Sequence, residues 1–194
     1  MLEWIGNIDE QVFFQINHCM SNFVFDEVMP VLRNKYTWIP LYALIIFFII
    51  RRHKLHAVYV IGFALLTFLL ADQISAHVIK PWAERLRPCN DPAISAMVHL
   101  RIDCGSGFSF VSSHATNHFA LAFFFISVFA RPSNRFYVTL FFLIWAGLIS
   151  FAQVYVGVHY PLDVLCGALL GSTIGYWLGW MNMYTLCHRS GKVL

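Results

Sequence analysis

The sequence predicts an all-α membrane protein: a polytopic helical bundle of about five transmembrane helices, preceded by an interfacial N-terminal helical segment. The first observation is composition, since 59% of the 194 residues are hydrophobic and only 12% are charged. A soluble domain is roughly half apolar and about a quarter charged. The second is that the apolar residues fall into long stretches, where only helices or closed barrels satisfy the backbone in lipid. The third is a net charge of +3, which excludes a strongly basic nucleic-acid module.

Residues 1–36 form the predicted N-terminal segment. Acidic residues occupy the positions where a secretory leader would be basic, so we expect this segment to be mature rather than a signal. An apolar stripe at helical spacing consists of Trp4, Ile5, Ile8, Val12, Phe13 and Ile16. The stripe fits two placements equally, a helix lying flat at the membrane interface or a helix packed on the bundle.

Residues 37–184 contain the predicted bundle. The apolar stretches are 37–50, 57–79, 115–130, 136–156 and 163–184. Each approaches the roughly 17 to 25 residues that cross a hydrocarbon core. The connections 51–54 and 131–135 are short and basic, as is the tail 185–194, so the positive-inside tendency predicts that they are cytoplasmic.

The connection 80–113 is the longest polar stretch and is predicted to lie on the outer side. Its length alone suggests a function. In an oxidising compartment, Cys89 and Cys104 would form a disulfide that closes a loop of about 16 residues.

Three polar clusters stand at the ends of apolar stretches: 80–88, 112–114 and 159–163. Ionisable groups near membrane spans are costly and are therefore candidates for function. Because the stretches alternate in direction, all three clusters are expected at the outer face, where they can converge.

The side-chain types in these clusters suit a phosphate group. Lys80 and Arg87 supply a point charge and a planar fork of donors. Ser112 and Ser113 open a helix, whose N–H groups and dipole favour an anion, although a helix cap alone would also explain these two residues.

The imidazoles suit nucleophilic and acid catalysis. A carboxylate at Asp163, four residues after His159, would fix the tautomer and leave the other ring nitrogen free to attack. His114 is then available to protonate a leaving oxygen. His114 and His118 are also spaced like ligands on one helix face, but no carboxylate ligand accompanies them, so no metal and no cofactor are predicted.

These residues resemble the signatures of the type 2 phosphatidic acid phosphatase superfamily, a set of membrane lipid phosphatases and related enzymes. K-x6-R-P is matched in full by Lys80, Arg87 and Pro88. P-S-G-H is matched at Ser112 and His114, with valine and serine in place of the proline and glycine.

The third signature, S-R-x5-H-x3-D, is matched at His159 and Asp163. Ala152 and Gln153 stand where the serine and arginine are expected. Glutamine keeps a donor but loses the charge and the bidentate fork of an arginine. Three explanations remain open: compensation by Arg85 or Arg101, an engineered or trapped variant, or a relative with little turnover.

The resemblance implies a metal-independent lipid phosphatase that acts on a membrane lipid phosphate or diphosphate through a phosphohistidine at His159. Asp163 would orient this imidazole and His114 would protonate the leaving oxygen. The implied phosphate ligands are Lys80, Arg87, Ser112, Ser113 and Gln153. The implied location is a bacterial inner membrane with the active site facing the periplasm.

The substrate candidates are undecaprenyl diphosphate, phosphatidylglycerophosphate, phosphatidate and lipid A phosphates. The expected partners are this lipid and the bilayer, with no nucleic acid, and the oligomeric state is left open. The alternative function is a catalytically weakened protein that binds a lipid phosphate or serves a structural role, because Gln153 replaces the family arginine.

Overall fold

The computed structural model describes residues 2–190, and this part of the chain is helical with no strand. The helices are α1 (Leu2–Phe14), α2 (Phe23–Arg33), α3 (Ile39–His53), α4 (Ala57–Gln73), α5 (Lys80–Ala83), α6 (Ser113–Phe129), α7 (Arg135–Tyr155) and α8 (Pro161–Ser190). The all-α prediction is therefore confirmed.

Three helical runs are long and apolar enough to cross a membrane: Lys35–Asn90, Arg135–Tyr155 and Pro161–His188. The first run contains both α3 and α4, and the backbone leaves helical geometry between them at Lys54, where φ is 50°. Each of the five predicted apolar stretches overlaps one of the helices α3, α4, α6, α7 and α8. The number of membrane crossings remains a prediction, because α6 has only 17 residues.

Helix α6 lies at the centre of the bundle and packs most extensively against α8. Glycines at four-residue spacing on α8 permit this close approach. A Cβ atom on Gly171 would lie 2.1 Å from the Thr116 carbonyl oxygen, and one on Gly175 would lie 2.1 Å from the Ala120 carbonyl oxygen. The glycine row therefore forms a contact within the chain, and it sets the register between α6 and α8.

We expect Gly171→Leu to destabilise the protein by about 3 kcal/mol or more, because the side chain must separate two backbones in contact. Thermal unfolding in detergent measures this loss. Gly62→Leu is the matched control, since a Cβ atom at Gly62 meets nothing within 4 Å. Equal unfolding temperatures for the two variants would contradict this role for the α6–α8 contact.

The N-terminal segment consists of two helices, α1 and α2, joined by a turn of π-helix at Gln15–Cys19. Part of it packs on the bundle, and its placement at the membrane interface stays a prediction. Phe13 is fully buried against the bundle, whereas Trp4 and Phe23 are 67% and 81% exposed. At the other end, the predicted tail begins inside α8, which continues to Ser190, and residues 191–194 lie outside the described residues.

The segment between α5 and α6 is irregular apart from two short 3₁₀ turns, Pro88–Asn90 and Ser95–Met97. A disulfide joins Cys89 to Cys104 within it. The segment folds back over the end of the bundle, where its backbone carbonyls accept hydrogen bonds from Lys80 and Arg87.

Candidate active site

The three predicted clusters meet at one end of the bundle. Direct hydrogen bonds connect them: the Arg85 guanidinium donates to the Asp163 carboxylate at 2.7 Å, and the Ser112 N–H donates to the Asp163 carbonyl at 3.0 Å. The convergence expected from the alternating course of the chain is therefore present in the structure.

His159 lies in the turn between α7 and α8. The turn uses Gly157 at a φ of 90°, a conformation that side chains disfavour, and a Cβ atom there would lie 2.7 Å from Val98. The imidazole is only 2% exposed. Its Nδ1 lies 3.2 Å from the Ser109 hydroxyl, and its Nε2 has no hydrogen-bond partner among residues 2–190. Nε2 is therefore the nitrogen available for attack.

Asp163 does not contact this imidazole in the simple way that the spacing predicts. The nearest carboxylate oxygen is 3.6 Å from His159 Nδ1, which is beyond hydrogen-bond distance. Ser109 bridges the gap, because its hydroxyl donates to Asp163 Oδ2 at 2.5 Å and is placed to accept from Nδ1–H. The orienting element is thus a serine and a carboxylate in series.

Asp163 is fully buried and has two further donors. The Tyr160 N–H donates to Oδ2 at 2.9 Å, and the Arg85 guanidinium donates to Oδ1 at 2.7 Å. Arg85 also donates to Asp9 at 2.6 Å and stacks on the Tyr160 ring at 4.0 Å. Asp9 in turn accepts from the Leu162 N–H at 2.7 Å. Arg85 therefore joins α1 to α8 through two carboxylates.

Lys80 and Arg87 are ordered by backbone carbonyls rather than by acids. Lys80 donates to the carbonyls of Phe108 and Ser109, and Arg87 donates to those of Gly107 and Ser106 at 3.3 Å and 3.4 Å. Neither cation forms an ion pair with any side chain in the described range. Their positive charge therefore remains available to an anion.

The N-terminus of α6 presents donors to the same region. The Ser112 hydroxyl caps the helix by accepting from the Ala115 N–H at 3.5 Å, as the capping interpretation predicts. The N–H groups of Ser113 and His114 bond to no acceptor within 2–190. The Ser113 side chain instead turns to Ser75, whose hydroxyl donates to it at 3.0 Å. Ser113 can therefore contribute its backbone, and Ser112 its hydroxyl, to a bound anion.

His114 and His118 do not form a metal pair. The His118 ring is engaged at both nitrogens, with Nδ1 2.8 Å from the His114 carbonyl and Nε2 3.3 Å from the Tyr42 hydroxyl. Within residues 2–190 there is no group of three potential ligands that could hold a metal ion. The His114 ring makes no protein hydrogen bond in this range, and it lies within electrostatic range of His159 and Arg87.

Burial lowers the pKa of His159 to about 4, the cations Lys80 and Arg87 add to this effect, and Asp163 opposes it. The ring is therefore neutral at pH 7, as a nucleophile must be.

The lowered pKa predicts a pH dependence of stability. Between pH 6.5 and about 4, the unfolded imidazole binds a proton that the folded one does not, so this group destabilises the fold as the pH falls. The loss approaches about 3 kcal/mol at pH 4. Unfolding of wild type and His159→Gln from pH 4 to 7 measures it, and parallel curves for the two proteins would contradict the assignment.

The two arginines that could replace the charge of the family arginine, Arg85 and Arg101, are both paired with carboxylates. Arg85 is held by Asp9 and Asp163 as described, and Arg101 forms an ion pair with Asp26. These ion pairs disfavour compensation for the missing family arginine by Arg85 or Arg101. Gln153 itself is fully buried on the last turn of α7, and its carbonyl accepts from Arg33 at 3.3 Å.

Residue-level reasoning missed Ser109, Asp9 and Arg33. Ser109 lies in irregular chain with no periodicity to mark it. Asp9 and Arg33 lie in the N-terminal segment, whose apolar stripe fits either an interface or the bundle. The sequence offers one signal for Asp9, which is that its carboxylate lies next to an apolar stripe.

The model of the PAP2 superfamily matches residues 61–186. A lipid A 4'-phosphatase of Bacteroides thetaiotaomicron is 33% identical over 97% of this chain and 81% of its own length. A lipid A 4'-phosphatase of Porphyromonas gingivalis is 27% identical over 94% of this chain and 76% of its own length.

Two crystal structures share the fold. The transmembrane PAP2 type phosphatidylglycerolphosphate phosphatase from Bacillus subtilis superposes with a TM-score of 0.74 at 21% identity, covering 93% of this chain and 87% of that one. LpxE from Aquifex aeolicus gives a TM-score of 0.61 at 23% identity, covering 90% and 93%. With a family model that covers more than half of its length and a relative similar over nearly all of it, this chain belongs to the PAP2 superfamily.

Proposed function

We propose that this protein is a lipid A 4'-phosphatase that acts at the periplasmic face of a bacterial inner membrane. At the coarser level it is a membrane lipid phosphatase, a phosphoric monoester hydrolase. The observation that carries the finer assignment is the likeness to the Bacteroides thetaiotaomicron protein over 97% of the chain. Likeness to an undecaprenyl-diphosphatase of Sulfolobus acidocaldarius covers only 73% of the chain and 62% of that protein.

The site geometry supports a two-step phosphoryl transfer through His159. In the first step, Nε2 forms a bond to phosphorus while the bond from phosphorus to the lipid oxygen breaks, and His114 gives a proton to that oxygen. In the second step, water attacks the phosphohistidine, His114 takes back a proton, and inorganic phosphate leaves.

The cationic side chains supply electrostatic stabilisation during both steps. Lys80, Arg87 and the free N–H groups of Ser113 and His114 are fixed before the substrate binds. Preorganised donors of this kind stabilise charge that spreads over the transferring phosphoryl group.

A cavity of about 510 Å³ runs from His114 along apolar faces of α3, α4 and α6. Its lining includes Ile45, Ile61, Leu65, Phe68 and Leu121. Because the group that protonates the leaving oxygen stands at one end, the alcohol leaving group is expected on this side. The apolar walls support a leaving group that carries hydrocarbon chains.

Two features support the proposed orientation. The disulfide between Cys89 and Cys104 belongs to an oxidising compartment, and it lies at the active-site end. The basic connection that contains Arg51 and Arg52 lies between α3 and α4, which the positive-inside tendency assigns to the cytoplasm.

A substrate panel tests the proposal. Purified protein in detergent is given lipid A, undecaprenyl diphosphate, phosphatidylglycerophosphate and phosphatidate at equal concentration. We expect the fastest phosphate release from lipid A, with mass spectrometry locating the loss at the 4' position. A higher kcat/KM for any other lipid would contradict the proposed substrate, and binding without release from any of them would favour the non-enzymatic alternative.

A further inference from the structure

A buried glutamine and a half-buried arginine form an unusual polar pair on α7 and α2. Gln153 is fully buried, and its carbonyl oxygen accepts from Arg33 Nε at 3.3 Å. Its amide nitrogen has no hydrogen-bond partner among the described residues. A buried donor without a partner costs roughly 1 to 3 kcal/mol, so packing alone does not account for the glutamine.

Arg33 comes from outside the bundle that the family signatures cover. It is the last residue of α2, and α2 packs on α7, the helix that carries Gln153. Only Nε is engaged by the protein, so within residues 2–190 both terminal guanidinium nitrogens make no hydrogen bond and no ion pair.

The surroundings of this free fork are cationic. The Val158 N–H donates to the Gln153 backbone carbonyl at 3.3 Å, which ties the partner of Arg33 to the turn that carries His159. Arg33 also lies within electrostatic range of Arg87 and His114. Burial and the positive charge of Arg87 together lower the pKa of Arg33. The positive charges of the two guanidiniums repel, and an oxyanion between them converts this repulsion into attraction.

We infer that Arg33, held in place by Gln153, supplies the second guanidinium of the phosphate site. The terminal nitrogens of Arg33 bind non-bridging oxygens of the substrate phosphate, opposite Arg87. Gln153 is a positioning residue, which uses its carbonyl to orient the Arg33 fork. The positive charge that the family signature places on α7 is thus supplied by a residue of α2. This inference rests on the proposed function only in taking the anion to be the substrate phosphate.

A charge-relocation experiment tests the inference with Arg33→Gln, Gln153→Arg and the double variant. Arg33→Gln should lower kcat/KM by about 100-fold, the effect of losing one preorganised donor. Gln153→Arg alone should lower the rate, because it removes the carbonyl that orients Arg33 and places two guanidiniums side by side. The double variant should recover at least about tenfold over Arg33→Gln, because the charge returns from α7.

A second readout does not depend on turnover or on the identity of the lipid. Binding of inorganic phosphate, measured by calorimetry, should weaken by about tenfold or more in Arg33→Gln and be restored in the double variant. Arg135→Gln, an exposed arginine in the first turn of α7, is the matched control and should leave both readouts unchanged.

The outcomes separate this inference from the proposed function. Unchanged phosphate affinity and rate in Arg33→Gln would overturn it, as would a rise of tenfold or more in Gln153→Arg, which would show that the wild-type site lacks the charge. If Arg33→Gln does not fold, failure of a folded double variant to bind phosphate overturns it. A substrate panel that rejects lipid A leaves the phosphate-affinity comparison intact.

Discussion

Replacing His159 with alanine is expected to lower phosphate release by at least about 10⁴-fold, because the proposed covalent route requires its Nε2. The side chain is 2% exposed, its Nδ1 is committed to Ser109, and its Nε2 is free. Rapid quenching of wild type with ³²P-labelled substrate should trap an acid-labile phosphoenzyme, and His159→Ala should trap none.

His77→Ala is the control for this variant. His77 lies three residues before Lys80, so it belongs to the same end of the bundle, but its side chain is exposed. We expect wild-type rates from it. A phosphoenzyme in His159→Ala, or a decrease in phosphate release of less than about tenfold, would show that another group is the nucleophile. His114 is the first candidate for that group.

The helices of the bundle were predictable because lipid imposes strong local constraints on sequence. The stretch 136–156 corresponds to α7 at Arg135–Tyr155, and 115–130 corresponds to α6 at Ser113–Phe129. Continuous apolar character and basic flanks mark such helices directly. The N-terminal helices have weaker marks, because their apolar stripe fits either an interface or a core.

The candidate site was predictable where residue type and motif spacing coincide, as at Lys80, Arg87 and His159. The missed contacts link residues far apart in sequence: Arg33 and Gln153 are separated by 120 positions, and Arg85 and Asp9 by 76. Nothing local to Arg33 distinguishes it from an ordinary basic residue at a helix end. Only the packing of α2 on α7 identifies its partner.

Asp163→Asn is expected to lower kcat by about 10³ to 10⁴-fold, as loss of an orienting carboxylate does in other triads. The amide replaces an oxygen that accepts from Ser109 or Arg85 with a donor. If the amide nitrogen of the asparagine faces Ser109, the Ser109 hydroxyl can no longer donate to this side chain. The hydroxyl then no longer holds the proton of His159 on Nδ1. Steady-state kinetics should show the loss in kcat, with KM changed by less than about tenfold, since Asp163 does not touch the phosphate.

The same carboxylate also ties α8 to α1 through Arg85, so a structural role must be separated from an orienting one. Asp9→Asn makes this separation, because it weakens the other half of the Arg85 bridge and leaves Ser109 and His159 untouched. Removing one partner from a buried ion pair costs roughly 3 to 5 kcal/mol, so both variants should unfold at lower temperature. Only Asp163→Asn should also lower kcat by the large factor given above. Equal decreases of kcat in the two variants would mean that the carboxylate is needed for the Arg85 bridge and not for orienting the imidazole.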